Sequence, residues 1–208
     1  EIAAERGLPR AFFVNRMDRE NADFGRALAQ LRERFGSRVG AVQLPIGAFS
    51  SFTGVIDLVS MKAHGEKGQE IPIPAEMQAE ISAARDAMIE AAAEGDDELI
   101  TKFLEGEQLT DDEILRGIHE GFRAGTFFPV YVGAAAREIG IDTLLDDIVE
   151  FAPTPEEGPA VRVTVNGKSD ALPIDVTTPP LLFSSEHHLA AADAWMTGIE
   201  RRIADGLP

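Results

Sequence analysis

Asn15 and Asp18 are the residues of this sequence best suited to bind a ligand. They belong to the run Asn15-Arg16-Met17-Asp18, which directly follows the apolar run Ala11–Val14. An Asp carboxylate can accept hydrogen bonds from both the N1–H and the exocyclic amine of guanine, whereas adenine presents a lone pair at N1. Asn15 could bond the N7 edge of the base and hold a neighbouring loop, while the flat guanidinium of Arg16 covers the base. The spacing therefore favours a guanine pocket.

The same residues also have an ordinary structural explanation. Asn-x-x-Asp after a strand is typical of an Asx turn followed by a helix N-cap. A base-binding loop, in contrast, must be matched by a second loop after a later parallel strand, because ligands bind at the carboxyl ends of such strands. The run Phe127–Val132 predicts that strand. Gly133, Ala134 and Ala135 follow it and are the candidate second loop.

Two strand–helix units are predicted to position these loops. Ala11–Val14 is too short and too bulky for a helix, so it predicts a buried strand. A helix with one apolar face then ends at Gly36. That face consists of Phe24, Leu28, Leu31 and Phe35. A second helix begins near Asp142, after the strand at Phe127–Val132, so the pattern predicts an α/β fold.

Residues 39–125 do not follow the strand–helix pattern of the flanking segments, and they predict an inserted α+β subdomain. The β-rich runs 39–46 and 52–59 predict paired antiparallel strands. A long helix is predicted from about Ala75 to Glu94, and Glu94–Glu98 has the composition of a solvated loop. Thr110-Asp-Asp-Glu113 is typical of a helix capping box.

These patterns divide the chain. Residues 1–38 and 126–152 are predicted to form the α/β core that the insertion interrupts. Residues 153–175 are predicted to be a linker and the first strand of a following β domain, with a turn at Asn166-Gly167. Residues 176–208 are predicted to be an unrelated helical tail.

Composition excludes several functions. The chain has 208 residues with 19 Lys and Arg against 36 Asp and Glu, a net charge of −17. Duplex DNA and anionic membranes are poor partners for such a chain, because both attract clustered cations. Cysteine is absent, which excludes disulfides and thiolate metal sites. Without a signal peptide or an apolar run of ~18 residues, the expected location is the cytoplasm.

Several longer runs match the pattern of one protein family. They are Asn15–Arg19, Ala22–Phe24, Gln43–Gly47, Phe52–Val59, Met61–Ala63, Ile89–Ala92, Leu104–Thr110 and Gly133–Ala135. From Pro9 to about Ile174 the chain resembles the second half of the GTP-binding domain of bacterial elongation factor G and its close relatives. The resemblance implies a partial P-loop-type GTPase sheet with an inserted subdomain.

The resemblance also assigns roles to the candidate residues. Asn15 and Asp18 are expected to read the guanine of GTP or GDP. Gly133, Ala134 and Ala135 are expected to supply the second loop, whose backbone N–H contacts guanine O6. Arg16 stands where the family usually has Lys, and Ala134 where it has Ser. Arg can still stack on a base, though not as Lys does.

Other family motifs are missing from this sequence. It contains neither Gly-x-x-x-x-Gly-Lys-[Ser/Thr] nor Asp-x-x-Gly, which hold the phosphates and Mg²⁺. The chain is therefore expected to be a fragment that contacts only the base, with no catalytic residue, no metal ligand and no GTP hydrolysis of its own. Residues 39–125 resemble the subdomain thought to contact the acidic stalk protein of the ribosome. The alternative is a protein-interaction module without nucleotide binding.

The tail resembles a different family. Leu181–Ser184, Leu189–Trp195 and Thr197–Gly206 are similar to a strand–helix unit of transaldolases, over about residues 180–207. One strand and one helix cannot form a (β/α)₈ barrel, so no activity is expected from it. Either the chain is a chimera with a transaldolase fragment, or the tail is a natural, diverged helical end.

Overall fold

The fold contains short strands in three sheets and six α-helices among the residues that are described. The computed structural model describes residues 2–5, 7–154, 157, 161–165 and 168–172. The helices are α1 (Ile2–Glu5), α2 (Phe24–Phe35), α3 (Gln78–Ala93), α4 (Asp97–Leu104), α5 (Asp111–Ala124) and α6 (Ile141–Phe151). The strands are β1 (Phe12–Val14), β2 (Val39–Ala41), β3 (Gln43–Ile46), β4 (Gly54–Asp57), β5 (Lys62–His64), β6 (Glu70–Ile71), β7 (Phe128–Val132), β8 (Val161–Val165) and β9 (Lys168–Leu172).

Three parallel strands lie side by side in the order β1, β7, β2. Val14 pairs with Val132, and Val39 pairs with Phe128. All five residues of the central strand β7 are buried, whereas those of β1 are half-buried. This sheet and its helices confirm the predicted mixed α/β class, and the strands predicted at Ala11–Val14 and Phe127–Val132 are confirmed.

Val42 connects the parallel sheet to an antiparallel one. Its N–H donates to the carbonyl of Val130 at 3.1 Å, and its carbonyl accepts from the Leu58 N–H at 2.9 Å. The antiparallel sheet then continues in the order β3, β4, β5, β6. The predicted strand at 39–46 is thus divided between two sheets. The parallel sheet includes β2, so it extends beyond the boundary predicted at residue 39.

Local capping signals begin three of the helices. The Asp23 carboxylate accepts from the Arg26 N–H at 2.9 Å and caps α2. The capping box predicted at Thr110 and Glu113 is confirmed at the start of α5. Glu113 also accepts from Lys102 Nζ at 2.5 Å, and this bond lowers the pKa of Glu113 to about 2 and raises that of Lys102.

The stretch predicted as a solvated loop instead begins a helix. The Asp96 carboxylate accepts from the backbone N–H groups of Glu98 and Leu99, and these bonds cap α4. Leu99 lies on the inner face of this helix and is buried. The prediction of a loop at Glu94–Glu98 was therefore wrong from Asp97 onward.

The chain divides into two compact units, Glu1–Pro153 and Thr154–Pro208. In the second, β8 and β9 pair antiparallel with Val165 opposite Lys168, which confirms the strand predicted up to Val165, while the predicted turn at Asn166-Gly167 lies outside the described residues. Residues 176–208, with the transaldolase-like run, lie outside the described residues. Across the described part of the chain, no helix has the length and hydrophobicity needed to cross a bilayer.

A buried polar cluster lies where α6 meets the strands. The Gln43 side chain donates to Thr143 Oγ1 at 2.9 Å and accepts from the Val132 N–H at 3.3 Å, which joins β3, α6 and β7. Asp147 is only 2% exposed, and both its Oδ2 and the buried Tyr131 hydroxyl lack a hydrogen-bond partner within the described residues. Burial raises the pKa of Asp147 to about 8 and also raises that of Tyr131.

We expect Asp147→Asn to remove a pH dependence of stability. The pKa of Asp147 rises from 3.8 to about 8 on folding. The folded state therefore holds a proton that the unfolded state releases. The contribution of this protonated carboxyl group to the free energy of unfolding is complete below about pH 4. It is lost as the pH rises to about 8, by up to ~1.4 kcal/mol per pH unit. The melting temperature of Asp147→Asn, relative to the unchanged chain, should rise steadily over that range.

Glu33→Gln is the matched control, because Glu33 is an exposed carboxylate on α2. Its melting temperature relative to the unchanged chain should stay constant from about pH 5 to about pH 8, because its side chain is exposed to water in the folded protein as it is in the unfolded chain. A constant difference for Asp147→Asn over the same range would show that Asp147 is ionised in the folded protein.

Candidate nucleotide-base site

Two loops meet at the carboxyl ends of the paired strands β1 and β7. The side-chain oxygen Oδ1 of Asn15 accepts from the Ala135 N–H at 3.0 Å and from the Arg16 N–H at 2.8 Å. Asn15 follows β1 directly, and Ala135 lies three residues after β7. The structure thus brings together the two loops that the sequence singled out.

Backbone hydrogen bonds hold the first loop, Asn15–Asp18, against the ends of β1 and β7. The Gly133 N–H donates to the Val14 carbonyl at 3.0 Å, and the Met17 N–H donates to the Gly133 carbonyl at 3.1 Å. The Met17 side chain is only 2% exposed and belongs to the hydrophobic core. The Met17 carbonyl accepts from the Phe49 N–H at 2.7 Å. The loop is therefore anchored at Met17, between Arg16 and Asp18.

Asp18 does not cap a helix. The cap of α2 is Asp23, five residues later, and Asp18 is half-buried with no hydrogen-bond or ion-pair partner within the described residues. The Asn15 side chain bonds the N–H of the next residue, and the Met17 N–H donates to Gly133, so Asn15 forms no Asx turn, and the N-cap alternative fails for Asp18. Arg16 is exposed and has a positive φ of 66°, a conformation that is costly for a long side chain. Within the described part of the chain, nothing occupies the acceptor sites of the Asp18 carboxylate.

The backbone N–H groups of the second loop, 133–135, all donate to acceptors within the protein. Gly133 and Ala134 are buried, and Ala135 is exposed. The N–H groups of Gly133 and Ala135 are used as described above, and the Ala134 N–H donates to the Ile139 carbonyl at 3.1 Å. Ala136 has an N–H with no acceptor among the described residues. The sequence analysis predicts 133–135 as the donors to a base, and Ala136 directly follows them.

A separate cavity of about 630 Å³ lies beside the first loop, between α2, α3 and the start of the antiparallel sheet. Its lining is mostly apolar and rich in alanine, and it includes Met17, Phe24 and Leu28. None of Asn15, Asp18 or 133–135 lines it. This cavity therefore does not contain the groups that could read a base.

The described residues include no cluster of acidic or histidine side chains that could hold a metal ion. Among them, no three His, Asp or Glu side chains come together as a bound ion would require. The acidic run at the start of α5 serves in helix capping. The groups that fit a ligand are the Asp18 carboxylate, the Asn15 amide, the Arg16 guanidinium and the Ala136 N–H.

Comparison with known proteins finds a structural relative. No protein-family model matches the sequence. The chain is similar to the crystal structure of ttk003000868 from Thermus thermophilus, with 32% sequence identity and a TM-score of 0.67. The match covers 76% of this chain and 25% of that one. The chain therefore spans about a quarter of the length of this relative, and the two share a fold over most of the present chain.

We expect Gly133→Ala to destabilise the protein by about 1–3 kcal/mol, the usual cost of overpacking. A Cβ at Gly133 would lie 2.3 Å from the Ile139 carbonyl oxygen and 3.0 Å from the Phe13 ring. Gly25→Ala is the matched control, because its Cβ would meet only the Asp23 carboxylate at 3.6 Å, and Gly is unfavourable inside a helix. In urea unfolding, the free energy of unfolding should fall for Gly133→Ala and rise slightly for Gly25→Ala. Equal stability of both variants would show that the loop is less tightly packed.

Proposed function

We propose that this chain is the guanine-reading part of a translational GTPase related to elongation factor G. One observation carries the proposal: Asn15 Oδ1 joins the two loops through the Ala135 N–H, while Asp18 beside them has no partner within the described residues. A carboxylate without a partner keeps its acceptor sites open, so a ligand that donates to it can form new hydrogen bonds there. The family resemblance of the surrounding runs agrees with this chemistry.

The donors and acceptors of the site match guanine better than adenine. The Asp18 carboxylate would accept from the N1–H and the 2-amine, and the Ala136 N–H would donate to the O6 carbonyl. Adenine would set its N1 lone pair against the carboxylate and its 6-amine against an N–H. Two mismatched polar contacts are a strong basis for rejecting a near-isostere. Arg16, exposed beside the loop, would cover the face of the base.

Hydrolysis requires parts that this sequence does not contain. Phosphoryl transfer to water depends on a phosphate loop with its Lys and on a bound Mg²⁺. In the proposed parent protein these groups precede the residue corresponding to Ala11. Strand β1 has β7 as its one neighbour among the described strands, and its side chains are half-buried. The parallel sheet thus has room for another strand on that side, which supports the proposal.

The ribosome is the proposed partner, through residues 39–125. Acidic residues outnumber basic ones there by nearly three to one. Such a surface is repelled by another acidic protein and attracted by a basic one. The charge therefore favours contact with a basic ribosomal protein over the acidic stalk protein that the family resemblance suggests.

We expect Asp18→Asn to reverse the choice of base. The new amide would present a donor to the guanine amine, whereas xanthine has a carbonyl at that position. Losing a charge-assisted hydrogen bond and creating a mismatch costs ~1.5–3 kcal/mol, so GDP binding should weaken by about tenfold or more. Binding of xanthosine diphosphate should strengthen. Ligand-observed NMR at millimolar nucleotide would measure both, with ADP as the reference ligand.

Asp23→Asn is the matched control, because Asp23 caps α2 and Asn is an equally good cap. It should leave the order of GDP, xanthosine diphosphate and ADP unchanged. If the unchanged chain prefers none of these nucleotides, the alternative of a protein-interaction module is favoured. If it prefers GDP and Asp18→Asn keeps that preference, Asp18 does not read the base.

A further inference from the structure

The turn between β5 and β6 packs against the second loop. The Lys67 N–H donates to the Glu138 carbonyl at 3.0 Å, and Glu66 forms an isolated antiparallel bridge with Ile139. Lys67 and Glu138 both have a positive φ of 54°. Such backbone is costly for residues with long side chains, and it persists where the surroundings hold it in place. The inserted part of the chain therefore contacts the residues that closely follow the second loop.

Arg137 makes the most extensive side-chain contact at this junction among the described residues. Its Nε and Nη2 donate to Glu66 Oε1 at 2.9 and 2.6 Å, and its Nη1 donates to the Phe52 carbonyl at 2.9 Å. One guanidinium thus joins the second loop to two separate segments of the insertion. Arg137 is 37% and Glu66 55% exposed at the side chain, and exposed ion pairs contribute little to stability. The geometry of the contact is therefore more informative than its energy.

Arg137 also closes the short turn that carries the Ala136 N–H. Its backbone N–H donates to the Ala134 carbonyl at 2.9 Å, which also accepts from the Ile139 N–H at 3.3 Å. Ala135 and Ala136 lie inside this turn. Fixing the Arg137 side chain to the insertion consequently fixes the direction in which the two alanine N–H groups point.

We propose that Arg137 is a positioning residue for guanine recognition, acting through its contacts with Glu66 and the Phe52 carbonyl. This inference rests on the proposed function, and it assigns to the insertion a role inside the base site. Arg137 itself touches no base. It keeps the Ala135 N–H on Asn15 and the Ala136 N–H directed outward, where a carbonyl at position 6 of a purine would accept from it.

Two measurements test the proposal on the whole chain. Amide hydrogen exchange reports the loop without any ligand. In Arg137→Ala the Ala135 amide should exchange about tenfold faster, as expected for loss of the part-buried charge-assisted bond from Arg137 to the Phe52 carbonyl, while the Val130 amide in β7 stays protected. Ligand-observed NMR with GDP and ADP reports recognition. GDP binding should weaken by about tenfold and ADP binding should not change.

Three further variants separate positioning from a general loss of structure. Arg137→Lys keeps one donor and should recover part of both effects, because Lys reaches Glu66 but lacks the fork that also reaches the Phe52 carbonyl. Glu66→Gln should also weaken GDP binding, as Arg137→Ala does. Arg116→Ala is the matched control, since Arg116 is similarly exposed and pairs with Asp96 and Glu98 away from the loops. It should change neither measurement.

Each outcome decides between the proposed function and the role of Arg137. If the unchanged chain shows no preference for GDP over ADP, the proposed function and this inference both fail. If it prefers GDP and Arg137→Ala keeps both that preference and the Ala135 exchange rate, only the role of Arg137 fails. Faster exchange with an unchanged preference would also overturn the inference, because it would make Arg137 a structural residue alone.

Discussion

The hydrogen bond from the Ala135 N–H to Asn15 Oδ1 joins two loops that lie 120 residues apart in the sequence. Its formation depends on the parallel pairing of β1 with β7, which sets Val14 opposite Val132 and brings both loops to the same edge of the sheet. Asn15 uses one oxygen for two N–H groups, so its amide nitrogen stays available. This bond links the two loops, while the backbone bonds at Met17 and Gly133 and the contacts of Arg137 hold each loop in place.

Much of this arrangement could be predicted from local patterns. The strands β1 and β7 are short apolar runs bounded by turn residues, and the capping box at Thr110 is readable from four residues. The role of Asp18 was not decidable in the same way. Asp23 lies only five residues further on and is also a good N-cap, and no local rule states which of two carboxylates begins a helix. The structure decides this through the Arg26 N–H.

The features that sequence reasoning missed depend on contacts between distant residues. The run 39–46 is uniformly β-rich, and its division at Val42 reflects pairing with Val130 and Leu58 rather than any change in composition. Arg137 is a single basic residue in a loop. Its partners, Glu66 and Phe52, precede it by 71 and 85 residues, so no spacing rule connects them. The residue types of the candidate site can therefore be predicted from the sequence, whereas the distant residues that hold its loops in place cannot.

The central position of β7 also constrains how the chain acquires its structure. Both of its neighbours, β1 and β2, are made first, and β2 precedes β7 by about 90 residues, or ~5–20 s of synthesis at ordinary ribosomal rates. Throughout that interval two apolar strands lack β7, the neighbour that joins them in the sheet. The intervening residues contain α3, α4 and α5, whose contacts are mostly local and can form early. We therefore expect the helices of the insertion to form before the parallel sheet is completed by β7.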